Sequence, residues 1–244
     1  MRRLYWFGPV LFVITFSVAR AQVSGLASSY LQRGNDFFAK GDLDRAIDDY
    51  GVAITVNPGW ALAYYSRGTA RYAKGDADGA IADFDEAIKI DPQYAAAYHS
   101  RSDVFYSRGD FEKAIEGYTR AIAINPRLAE AYCNRGAARK AKGDLDGAIA
   151  DYDQSLKANP HLAAAFNNRG NALSAKGNLQ EAIADFDRAI KINSRYAEAY
   201  VNRGFVLLLQ GKIAEAEKNF EHGIKLDPKL KRHVEWLKGA PQTQ

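Results

Sequence analysis

The chain has 244 residues, 47% of them hydrophobic and 25% charged, a balance that excludes a largely disordered polypeptide. Its 33 basic and 29 acidic residues give a net charge of +4, and a single cysteine excludes an internal disulfide. Arg2, Arg3 and Arg20 carry most of the surplus; the rest of the chain holds 30 basic and 29 acidic residues, with no basic stripe of the kind nucleic acid requires.

In chain order, Met1-Arg2-Arg3 precedes an uncharged, mostly apolar run over residues 4–19, and Ala19-Arg20-Ala21 follows. A positive start, an apolar stretch and a small-x-small site are the marks of a secretory signal peptide over residues 1–21, with Gln22 as the new terminus. The run is short for a spanning helix, and Gly8-Pro9 interrupts it. A retained membrane anchor over residues 4–19 is the alternative. The expected location is periplasmic or secreted. Residues 22–26 read as a short lead-in.

From residue 27 the chain repeats itself every 34 residues. Arg33-Gly34 recurs as Arg67-Gly68, Arg135-Gly136, Arg169-Gly170 and Arg203-Gly204, with Arg101-Ser102 in the third copy. Glycine returns at 41, 75, 109, 143, 177 and 211, and alanine at 46, 80, 114, 148, 182 and 216. An aromatic returns at Tyr50, Phe84, Tyr118, Tyr152, Phe186 and Phe220. Pro58, Pro92, Pro126, Pro160, Ser194 and Pro228 close the units. The frame gives six units: 27–60, 61–94, 95–128, 129–162, 163–196 and 197–230.

Each unit reads as two helices. Residues 95–108 lack Pro and Gly, and Gly109-Asp110 then supplies a C-cap glycine and a capping acid. Residues 111–124 place Phe111, Ala114, Ile115, Tyr118, Ala121 and Ile122 on one face, and Asn125-Pro126 ends the helix. The small residues at Gly68 and Ala80 allow two helices to approach closely, and the returning aromatic fills the wedge toward the next unit. One hairpin cannot bury its own apolar face, whereas stacked hairpins can. Leu230, Val234 and Leu237 then share a face, with Trp236 beside it, which suits a capping helix within 231–244 before a frayed tail.

This pattern resembles the tetratricopeptide repeat, a family motif of bulky residue, Gly, aromatic, Ala, aromatic, Ala and Pro. It falls on Tyr98, Ser102, Phe105, Ala114, Tyr118, Ala121 and Pro126, and on Phe166, Gly170, Leu173, Ala182, Phe186, Ala189 and Ser194. Arg71 and Arg139 depart from it at the early aromatic, Ser155 and Gly223 at the later Ala. The resemblance implies an all-α fold, a right-handed α-solenoid of six helix hairpins plus a C-terminal capping helix. It also implies a non-catalytic interaction scaffold whose stacked first helices line a concave binding face.

No chemistry competes with that expectation. His99, His161, His222 and His233 lack zinc-site spacing, and no phosphate-cradling glycine loop or nucleophile motif occurs, so no cofactor or metal is expected. Cys133, whose repeat position holds Leu31, Tyr65, His99, Asn167 and Val201 elsewhere, reads as a small half-buried side chain. Asp49, Asp83, Asp151 and Asp185 should pair with Arg33, Arg67, Arg135 and Arg169 of their own hairpins. Asp85, Asp153 and Asp187 read as surface acids, and Arg101, facing Gly117 in its own unit, needs another partner.

Family geometry points to Tyr65, Tyr72, His99, Tyr106, Asn134, Asn168, Asn171 and Asn202 as partner-binding residues on the inner face. Tyrosine offers apolar area with a polar tip, and asparagine offers both a donor and an acceptor to a peptide backbone. The row with Tyr98 and Tyr132 is expected to serve the core. The lysine and arginine set with which one subgroup grips a carboxylate terminus has no match at Asn35, Ser66, Ala96 and Ser100. The expected partner is a protein or peptide segment. A structural part of an envelope or secretion complex and an accessory to a carbohydrate-modifying enzyme are the alternatives.

Overall fold

A computed structural model describes residues 25–239; the expected signal peptide over 1–21 and the end of the tail lie outside them. The described residues are helical throughout, without a strand. Helix α1 is described over residues 25–39. It is followed by α2 (Leu43–Val56), α3 (Ala61–Lys74), α4 (Ala77–Ile90), α5 (Ala95–Ser107) and α6 (Phe111–Ile124). Then come α7 (Ala129–Ala141), α8 (Leu145–Ala158), α9 (Ala163–Ala175), α10 (Leu179–Ile192), α11 (Ala197–Leu209) and α12 (Ile213–Leu226). A 3-10 turn, Pro228–Leu230, leads into α13 (Lys231–Gly239). Within each unit the helices follow one another as consecutive hairpins, and α13 packs at the end of the last one.

Local chemistry sets the joints. Gly41, Gly75, Gly109, Gly143, Gly177 and Gly211 turn each hairpin at φ between 74° and 93°, a region a side chain rarely tolerates. The next residue starts the second helix. Asp76 and Asp144 each accept a backbone N–H three residues on, from Gly79 and Gly147, both at 2.9 Å. Asn178 and Lys212 make no such side-chain cap. At the far end of the second helices, Asn125, Asn159 and Asn193 accept the N–H two residues on, which turns the chain into the next hairpin.

Contacts group the chain into two compact units, one reaching Val104 and one starting at Phe105. In the first, Phe84 and Val104 are fully buried beside Ala80, with Tyr65 and Ile81 packed against them. In the second, α8, α10 and α12 pack on their own first helices, α6, α8 and α10 pack on the next one, and α9 touches both α7 and α11. The aromatic that recurs every 34 residues is at the centre of this packing: Tyr50, Phe84, Tyr118, Tyr152, Phe186 and Phe220 are each no more than 2% exposed. Tyr152 lies against Gly136 of its own hairpin and clusters with Ala165 and Ala172 of the next, which is the wedge expected from the sequence. Burying one such ring contributes roughly 1.5–3 kcal/mol.

The cap holds through Val234 and Leu237, buried with Val201 and Phe220, and Leu230 packs beside them. Trp236 stands away from this contact at 66% exposure.

Candidate functional site

A recurring set of ion pairs joins the helices. All four expected pairs form as two-point contacts. Arg135 donates Nε and Nη2 to Asp151 at 2.9 and 2.7 Å, and Arg33, Arg67 and Arg169 do the same to Asp49, Asp83 and Asp185. The acids expected to be bland are a second set of partners. Asp153 accepts from Arg169 of the next hairpin at 2.6 Å, and Asp85 and Asp187 pair likewise with Arg101 and Arg203. Arg101 therefore finds its partner in the preceding hairpin.

Each of these arginines also lies near an aromatic three residues before it, from Tyr30 and Tyr64 to Phe166 and Tyr200. The row containing Tyr98 and Tyr132 is thus half-buried under guanidinium groups and not sealed in the core. Arg71 and Arg139, the departures from the motif, each add a third bond to the buried Asp83 and Asp151, at 2.9 Å.

The first helices present distinct rows. Leu31, Cys133, Asn167 and Val201 are all buried, so this repeat position belongs to packing. Tyr65 and His99 share it. The Tyr65 ring lies 5.8 Å from Phe84 and 5.1 Å from Tyr94, and His99 Nδ1 lies 3.4 Å from Asp103. Tyr65, expected on the partner-binding face, therefore also packs against rings of its own unit. Leu31 and Val201 at the same position were the signal in the sequence.

One residue on, Asn168 donates to Cys133 Sγ at 3.8 Å and Asn202 donates to Asn167 Oδ1 at 2.9 Å. Part of the asparagine row is therefore engaged within the fold. Asn134 and Asn171 are half-buried. Tyr72 and Tyr106 are 36% and 37% exposed, the most open of the predicted set. They share a repeat position with Lys140, whose amine burial holds below the usual lysine range.

Between α1 and α3 lies a small cavity of about 130 Å³, lined by Asn35, Phe38, Tyr50, Tyr65, Ser66 and Thr69. Tyr50 closes its floor, donating its hydroxyl to Asn35 Oδ1 at 2.8 Å. The arrangement offers rings and aliphatic walls with hydroxyl and amide groups at the edge. It can seat an apolar side chain and bond a peptide backbone.

Cys133 is 4% exposed, more deeply buried than expected, and burial pushes its thiol from 9.0 up to about 11. The native thiol should therefore resist a disulfide reagent at pH 8 and react fully once the chain is unfolded, as thiol titration would show. The raised value also has a sign for stability. Between about pH 9 and 11 the unfolded chain holds fewer protons than the native one, so this group lowers stability as pH rises through that window. A Cys133→Ser variant should lose that part of the alkaline decline in urea unfolding.

Among the described residues, no cluster of three or more His, Cys, Asp or Glu is placed to hold a metal ion, and no helix is long and apolar enough to cross a membrane. Models of a TPR repeat match residues 103–143 and 170–211, and models of a tetratricopeptide repeat match 31–95, 129–162 and 197–230. No curated protein sequence matches the chain. Among solved structures, MamA is 25% identical with a TM-score of 0.60, over 68% of this chain and 96% of its own. PilF of Pseudomonas aeruginosa is 15% identical with a TM-score of 0.71, over 91% of this chain and 96% of its own. YrrB, described as a TPR protein with an unusual peptide-binding site, is 19% identical with a TM-score of 0.60, over 77% and 97%. In all, 469 solved chains match, so likeness of fold does not single out one function.

Proposed function

Because the chain belongs to the tetratricopeptide repeat family, we propose that it is a non-catalytic scaffold that binds a protein or peptide segment on the face of its first helices. The observation that carries this reading is the cavity between α1 and α3, with apolar walls from Phe38 and Tyr65 and a polar edge from Asn35, Ser66 and Thr69. Tyr72 and Tyr106 are large rings left open on their own first helices. A merely solvated row would more cheaply carry Lys or Glu. Asn134, Asn168, Asn171 and Asn202 supply amide groups for a peptide backbone, and His99 and Tyr65 support the rings around them. Arg2 and Arg3 ahead of the apolar run over residues 4–19 support export, so the working partner is sought among envelope proteins.

A photo-crosslinking residue placed at Tyr106 should capture a discrete partner from the native envelope fraction, and one placed at Glu116 on a second helix should not. Affinity for the captured segment should fall by upward of about 1 kcal/mol in Tyr106→Ala and in Asn168→Ala, with unchanged circular dichroism. Added salt should change it little, because rings and amides dominate the contact. Folded variants that bind like wild type, or an affinity that collapses with salt, would move the site off this face.

A further inference from the structure

The second unit holds another groove, of about 480 Å³, lined by Pro160, His161, Phe166, Arg188, Lys191 and Ile192. The turn after α8 supplies Pro160 and His161, α9 supplies Phe166, and the end of α10 supplies the rest. Its chemistry differs from that of the first-helix rows. Three side chains can carry positive charge, no acid lines it, and its body is a ring, a proline and an isoleucine that is 37% exposed.

The arginines that join helices in this unit are committed to the fold. Arg135, Arg139, Arg169 and Arg203 are all held by acids or amides of the fold. Arg188 and Lys191 are exposed, and neither is drawn into that lattice of pairs. Their place at the carboxyl end of α10 offsets the helix dipole, but a single exposed lysine would do that.

The following hairpin shows what the slot accepts. His222, 34 residues after Arg188, lays its ring 4.2 Å from Tyr200, which stands 34 residues after Phe166. The protein fills that copy of the slot with a flat side chain of its own. At Phe166 the corresponding residue is a flexible arginine, and the space is an open groove rimmed by cations.

We propose that this groove is a second docking site, which takes an acidic segment of a partner protein. An aromatic or aliphatic side chain of that segment sits among Phe166, Pro160 and Ile192, and neighbouring carboxylates meet Arg188 and Lys191. A planar guanidinium receives a carboxylate at two points, and a cationic rim with no acid beside it steers an acidic chain inward. The site borrows Phe166 from α9, but neither Tyr106 nor Asn168 lines it.

The test is fluorescence anisotropy of the full chain with a labelled hexapeptide Glu-Phe-Glu-Glu-Phe-Glu and its neutral twin Gln-Phe-Gln-Gln-Phe-Gln. The acidic probe should bind at least tenfold tighter than the neutral one at low salt, and raised salt should remove the difference. Arg188→Glu with Lys191→Glu should abolish that preference without changing the circular dichroism, because both side chains are exposed. An all-glutamate hexapeptide should bind at least fivefold more weakly than the mixed probe. Tyr106→Ala should leave acidic-probe binding unchanged, so loss of the first-helix site and loss of this one are read separately. Equal binding of the two twins, equal binding of the all-glutamate probe, or full affinity in the charge-reversed variant would overturn the proposal.

Discussion

Replacing Asp151 with Ala should lower the stability of the α7–α8 hairpin by about 3 kcal/mol. Its carboxylate is only 3% exposed and accepts three hydrogen bonds, two from Arg135 and one from Arg139, all between 2.7 and 2.9 Å. Removing the acid leaves two guanidinium groups facing each other with their shared counter-charge gone. The Arg135 side chain is itself only 13% exposed, so water cannot readily take the acid's place. Asp153→Ala is the control. That acid is 51% exposed and should cost about 0.5 kcal/mol or less. Hydrogen exchange of α7 and α8 amides reads the effect locally, which matters because a midpoint averaged over a repeat array blends its hairpins. A double-mutant cycle with Arg135→Ala should give a coupling of about 1 kcal/mol or more. Additive losses would show that the pair is not coupled.

Gly136→Val should be comparably damaging, at about 3 kcal/mol. A Cβ at this position would stand 2.8 Å from Tyr152 Cε1 and 3.1 Å from the Ala148 carbonyl oxygen. The ring is fully buried and the oxygen belongs to the backbone of α8, so neither can give way cheaply. Ala at the same site separates two effects. It gains about 1 kcal/mol of helix propensity and meets the same clash through a single methyl, so its net loss should be smaller. Ala137→Val, on the half-exposed neighbouring position, should cost only a few tenths of a kcal/mol. A Gly136→Val protein as stable as wild type would mean that the helices of this hairpin can part without penalty.

The repeat period made the fold legible, because an invariant spacing ties each small residue and each aromatic to one place in a hairpin. Gly34, Tyr50 and Asp49 needed only to be recognised as members of rows. Rows whose members differ in chemistry were harder. Tyr65, His99, Cys133 and Asn167 look like a polar face when taken one at a time. Leu31 and Val201 reveal that the position packs, because only the buried end of that mixture is shared by all. The pairing of Asp153 with Arg169 was missed for a different reason. The two residues are 16 apart in sequence and belong to successive hairpins, so their meeting depends on how one hairpin sits on the next, which periodicity alone does not give. The groove at Phe166 had no motif at all. It arises because Arg188 stands where the neighbouring unit has a ring.

The acid pair written Asp151-Tyr152-Asp153 assigns one carboxylate to its own hairpin and the other to the hairpin that follows. The first is sealed from solvent and the second is half open to it, at 3% and 51% exposure. Mobile ions reach only the second kind. Added salt will therefore spare the hairpins and weaken the couplings between them. The distance over which one hairpin senses the folding of another becomes a property of the medium. Each such pair contributes about 0.5 kcal/mol or less, so salt trims a coupling between hairpins that the buried rings continue to carry.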